Sequence, residues 1–88
     1  MSDLASDQAA LATWCTSFLA GMLERAPSEI NPNTKFARMG VDSVMSVELT
    51  FALEELLDIK LSPDVIADHP TISRLTGYLA TIRSHYAG

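Results

Sequence analysis

Ser43 is the side chain of this sequence whose type and position best suit chemistry. It follows Gly40-Val41-Asp42 and opens a segment, Val44 to Asp58, in which every charged residue is acidic. A short polar acceptor such as Asp42 or Ser43 at a helix start takes up backbone N–H groups that the first turn leaves unpaired. The same first turn, with the macrodipole behind it, favours an anion, so a phosphoester on the serine oxygen would be stabilised there. Two residues alone read first as a simple helix cap, and the attachment reading needs more context.

Other chemistries use the remaining reactive side chains less well. A Ser-His-Asp hydrolase would draw on Ser43, His69 and an acid, but it also needs a rigid elbow, an oxyanion hole and a substrate pocket. Eighty-eight residues of helical pattern hardly supply them. Cys15 lies on an apolar helical stripe, which points to a core thiol rather than a nucleophile. His69 precedes Pro70 in a turn and His85 stands near the end of the chain; two histidines without paired spacing make no metal site. No catalytic set is expected, so the chain reads as a non-enzymatic component.

The elements that would position Ser43 follow from periodicity. Leu11, Trp14, Cys15, Phe18, Leu19, Met22 and Leu23 recur at three- and four-residue spacing, one face of a first helix that Pro27 stops. Ala26 to Val41 is rich in turn formers, yet Ile30, Phe36 and Met39 are spaced apolar anchors, which predicts a long loop pinned onto a core. A second helix is expected from Asp42 or Ser43 to about Asp58. Ser62-Pro63-Asp64 starts a short helix that Pro70 limits to a turn or two. Thr71 caps the last helix, whose face is Ile72, Leu75, Leu79 and Ile82, with fraying expected from Ser84. The expected fold is all-α: a small bundle of three main helices plus one short one, with a long first loop. It forms one domain over 1–88, ordered from about 6 to 83.

Charge and composition narrow the partners. A net charge of −5, with only six scattered Lys and Arg, argues against nucleic acid. The expected partners are basic protein surfaces, met by an isolated monomeric domain and drawn in by a field that salt weakens. The uncharged run Gln8 to Leu23 is shorter than a membrane span and carries Thr13, Thr16 and Ser17. A single cysteine allows no internal disulfide, and the first basic residue is Arg25, so neither an oxidising compartment nor a secretory signal is indicated. A cytoplasmic location is the expectation.

The second helix has two unlike sides. At about 100° per residue, Met45, Leu49, Ala52, Leu53 and Leu56 form a core stripe, whereas Val44, Val47 and Phe51 point nearly the opposite way among Glu48 and Glu55. Such a mixed strip suits partner recognition, with apolar contact and carboxylate steering. A helix buried on nearly all sides, or apolar residues scattered on a surface, would give the same pattern. Glu54 and Asp58 oppose the helix dipole, a small penalty consistent with negative charge kept for a partner.

Two longer motifs add context. Phe36-Ala37-Arg38-Met39-Gly40-Val41-Asp42-Ser43-Val44-Met45-Ser46-Val47-Glu48-Leu49 resembles the attachment motif of acyl carrier proteins, and Asp68-His69-Pro70-Thr71-Ile72 resembles the approach to the last helix in polyketide-synthase carrier domains. The resemblance covers nearly the whole chain. It implies a four-helix-bundle acyl carrier on which Ser43 holds a 4′-phosphopantetheine arm, taken from coenzyme A by a separate magnesium-dependent phosphopantetheinyl transferase. The arm's thiol would carry acyl or polyketide intermediates as thioesters to a ketosynthase, an acyltransferase and other synthase enzymes. Asp42 would help position the serine, and Val44, Met45, Val47, Glu48, Phe51 and Glu55 would meet partners, with Met45 shared between partner and core. Val44 in place of the commoner leucine, and Met45 where free-standing fatty-acid carriers are often acidic, lean towards polyketide synthesis. Peptidyl carriers usually have Gly-Gly where this chain has Gly40-Val41. A peptidyl carrier and an unmodified acidic docking domain are the alternatives.

Overall fold

The computed structural model describes residues 8–87, with side chains through Ile82. Five α-helices follow in chain order: α1 (Gln8–Leu23), α2 (Phe36–Met39), α3 (Ser43–Leu57), α4 (Val65–Asp68) and α5 (Ile72–Ala87), with a 3-10 turn at Pro27–Glu29. No strand occurs among the described residues, so the fold is the all-α bundle expected. Two short helices accompany the three long ones, where the sequence predicted one. The extra piece, α2, is a single turn inside the long loop, too short to show a helical period. The last helix runs on to Ala87; Met1 to Asp7, Gly88 and the side chains of the tail lie outside the described residues.

Burial follows the predicted stripes closely. Leu11, Cys15 and Leu19 of α1, Leu49 and Leu53 of α3, and Leu75 of α5 are fully buried. The first helix packs most extensively on α5 and touches α3. Trp14 and Phe18 are half-buried at the margin, their rings stacked with centroids 5.1 Å apart. Leu57 is also buried, one residue past the predicted stripe. Thr50 and Thr76 are buried too, which hydropathy would not suggest. Each spends its hydroxyl inside its own helix, donating to the carbonyls of Ser46 (2.8 Å) and Ile72 (2.7 Å), so neither leaves an unpaired donor in the core.

The helix ends are made by backbone geometry more than by proline. Glu24 adopts a left-handed conformation (φ 56°), and the Arg25 N–H returns to the Ala20 carbonyl at 2.9 Å, so α1 stops at Leu23, four positions before Pro27. Asp58 does the same for α3 (φ 54°), placing its N–H on the Glu54 carbonyl. Thr71 caps α5 as predicted, its Oγ1 accepting from Arg74 N–H at 3.1 Å.

Candidate functional site

The loop before Ser43 is fixed at both ends. Ile30, Phe36 and Met39 are buried, as their spacing predicted. The Phe36 N–H donates to the Pro70 carbonyl at 2.8 Å and the Ser73 N–H to the Pro32 carbonyl at 3.0 Å. Ser73 Oγ further donates to Asn33 Oδ1 at 3.0 Å. The Asp68-Thr71 segment is thus the anchor on which α2 begins, and the two motifs found separately in the sequence meet in space. At the other end of α2, Gly40 takes φ 107° and its N–H returns to the Phe36 carbonyl. A side chain there would be strained whatever the space around it, which is why glycine precedes the site. The reversal sends Val41 into the core and Asp42 and Ser43 to the surface.

Asp42 is the N-cap of α3, its Oδ1 accepting from Met45 N–H at 2.9 Å. The first intrahelical bond runs from Ser46 N–H to the Asp42 carbonyl at 2.9 Å. The N–H groups of Ser43 and Val44 then have no acceptor among the described residues, and Ser43 itself is exposed at the first helical position. This donor pair, with the dipole of a fifteen-residue helix behind it, fits a phosphate on the serine oxygen.

Ser43 also stands at the edge of a cleft of about 790 Å³ between α2, α3 and α4, which Lys35, Thr50, Glu54, Leu61 and Ile66 help to line. The loop that closes it is stapled by Glu54, whose Oε2 accepts from Leu61 N–H at 2.8 Å. Glu54 therefore has a structural task, and the expectation that its charge is kept for a partner does not hold for that oxygen.

The outer side of α3 is open. Val44, Val47 and Phe51 are 67%, 51% and 63% exposed, and Glu48 and Glu55 are exposed beside them. Met45 is half-buried against the core, in keeping with a divided position. The pattern rules out burial of the helix on all sides.

The other reactive groups do not join Ser43. His69 stacks on Tyr78, with ring centroids 4.0 Å apart and planes 16° from parallel, and it is not among the residues lining the cleft. His85 lies outside the described side chains. No group of three or more potential metal ligands occurs among the described residues, and none of their helices is long and apolar enough to cross a membrane. Cys15 is a buried thiol, and loss of solvent pushes its pKa from the ordinary 9.0 up to about 12. Its alkylation at neutral pH should therefore track unfolding. Because the folded state keeps this proton longer than the unfolded chain, the thiol's contribution is intact below 9.0 and destabilisation grows as pH rises towards about 12. Replacing Cys15 with Ala should flatten that part of a stability profile measured with urea.

Residues 16–79 match the family model described as "Phosphopantetheine attachment site". One of the phenolphthiocerol/phthiocerol polyketide synthase subunits of Mycobacterium tuberculosis is 42% identical over 64 residues, 72% of this chain and 4% of that protein. The chain thus spans only a small fraction of the curated relatives it matches. Among solved structures, the HMG-ACPI domain from the CurA module of Lyngbya majuscula aligns with a TM-score of 0.85 at 28% identity, covering 100% of this chain and 91% of that one. A free-standing peptidyl carrier protein from Acinetobacter baumannii aligns with a TM-score of 0.83 at 30% identity, covering 88% and 96%.

Proposed function

The chain belongs to the phosphopantetheine attachment-site family, and from that membership we propose that Ser43 holds the 4′-phosphopantetheine arm on which polyketide intermediates travel as thioesters. The observation that carries the assignment is an exposed hydroxyl at the first position of α3, beside two N–H groups with no acceptor among the described residues. When bound, the arm supplies a thiol that forms the thioester. The chain's own part is to present the hydroxyl, accommodate the phosphate and offer α3 to visiting enzymes. Asp42 serves as the cap that keeps Ser43 at the helix start.

Loading would be the work of a phosphopantetheinyl transferase: the serine oxygen bonds to the phosphorus of coenzyme A that carries pantetheine, the pyrophosphate link breaks, and adenosine 3′,5′-bisphosphate leaves. The serine proton passes to the transferase. Intact mass before and after this treatment tests the assignment directly. The unit would be a single non-catalytic, cytoplasmic and monomeric carrier domain spanning about residues 6–83.

A polyketide rather than a peptidyl carrier is supported by the sequence relatives, which are polyketide synthase subunits, while the helical bundle itself is shared with a peptidyl carrier. The exposed strip of Val44, Val47, Glu48, Phe51 and Glu55, with the outer part of Met45, would meet the transferase, ketosynthase and acyltransferase. Glu48→Lys is expected to slow arm transfer or acyl exchange with a cognate enzyme by about tenfold at low salt, with a smaller effect at high salt. Phe51→Ala should lower the same rate at any salt, since it removes contact area rather than charge. Helical circular dichroism should stay unchanged in both; unaltered transfer rates would mark the strip as ordinary surface.

A further inference from the structure

We propose that His69 and Tyr78 form a positioning brace for Ser43, their stacked rings fixing the Pro70 carbonyl on which the loop before the serine hangs; this rests on the attachment reading above. His69 does not line the cleft at whose edge Ser43 stands, so it acts on the serine through backbone. Pro70 has no N–H to give, and its carbonyl takes the Phe36 N–H at 2.8 Å. The Phe36 carbonyl in turn receives the N–H groups of Gly40 and, at 3.0 Å, of Val41, which closes the turn that delivers Asp42 and Ser43. One residue, Phe36, joins the anchor to the site.

The Pro70 carbonyl is a fixed point only if the chain around it is held. On one side stands α4, four residues long and too short to keep its shape by helix propensity. His69 leaves it with φ −128° and ψ 79°, outside the helical region, as a residue ahead of proline tends to be. On the other side is α5, sixteen residues packed extensively on α1. Tyr78 belongs to α5, and its ring lies 4.0 Å from that of His69 with the planes 16° apart. A close, nearly parallel contact of two flat rings sets the tilt of the imidazole as well as its place, which an aliphatic neighbour would not do. Tyr78 is 39% exposed, so filling the core does not account for the pair. The stack therefore ties the rigid helix to His69, and through Pro70 and Phe36 to the turn before Ser43. A second tie, from Ser73 N–H to the Pro32 carbonyl, is independent of it, so loss of the stack should loosen the approach to Ser43 without releasing the loop.

The test measures arm loading from coenzyme A by a broad-specificity transferase in His69→Ala, Tyr78→Leu and His69→Phe. The first two are each expected to lower kcat about fivefold with KM for the carrier changed by less than about twofold, because the visiting enzyme meets α3, which they leave intact. His69→Phe keeps a flat ring and should restore most of the rate. Hydrogen exchange at the Phe36 and Val41 N–H groups should quicken about fivefold in the two defective variants, with exchange at Leu49 and Leu53 unchanged. Wild-type kcat in both variants overturns the proposal. A loss in His69→Ala that His69→Phe fails to restore overturns the role of the stacked ring. Equal quickening at Phe36, Leu49 and Leu53 assigns the pair to general stability and overturns its positioning role. A wild-type chain that takes up no arm overturns the attachment reading and this inference together.

Discussion

Replacing Ser43 with Ala is expected to abolish loading completely, since no other hydroxyl shares its position at the helix start. With coenzyme A and a broad-specificity transferase, the wild-type protein should gain the mass of one phosphopantetheine and Ser43→Ala none. The serine is exposed and its side chain makes no hydrogen bond among the described residues, so the variant should melt within about 0.5 kcal/mol of the wild type. Asp42→Ala is the informative companion. It retains the hydroxyl but frees Met45 N–H, and should cost about 1 kcal/mol in stability while still accepting an arm more slowly. Equal mass gain in Ser43→Ala would place the arm elsewhere and remove the basis of the carrier assignment. No gain in the wild type would favour an unmodified docking domain.

Leu53→Ala should have the largest effect on folding. Leu53 is fully buried on the core side of α3, and a buried leucine truncated to alanine costs about 2–5 kcal/mol through lost transfer energy and residual cavity. For an 88-residue domain the whole stability is about 4–13 kcal/mol, so the variant would stand near the edge of folding. A fall in melting temperature of at least about 8 °C is expected by circular dichroism, given about 4–8 °C per kcal/mol at this size. A fall under a few degrees would mean that α3 is loosely packed. Its loading should recover below the melting transition, which separates a damaged fold from a damaged site.

The long helices and the position of Ser43 at a helix start were legible because they depend on local rules. Three apolar stripes and the Asp42 and Thr71 caps all act within a few residues of themselves, whereas Ser62-Pro63-Asp64, expected to open the short helix, stands ahead of it, and α4 starts at Val65 with Asp64 as its N-cap. What escaped depended on distant pairings. The single turn of α2 has no period of its own and exists because Phe36 N–H finds the Pro70 carbonyl, thirty-four positions on. Glu54 looked like spare charge until its oxygen met Leu61 N–H. Thr50 broke the hydrophobic pattern and is nonetheless buried, because its hydroxyl is satisfied within α3. The cleft needs α2, α3 and α4 together, and no single stretch of sequence contains it. Val44, Val47 and Phe51 were a different case: periodicity placed them away from the core correctly, and the structure turned an ambiguous pattern into an open surface.

The burial of Cys15 bears on the fidelity of cargo transport. A thioester on a swinging arm is exposed to attack by any thiolate within reach, and a carrier with an accessible sulfur of its own could strip its arm by transacylation. Here the only native sulfhydryl is enclosed in the core, where burial pushes its pKa up to about 12 and keeps it protonated at neutral pH. The loaded protein would therefore present a single nucleophilic sulfur to its surroundings, the one at the tip of the arm.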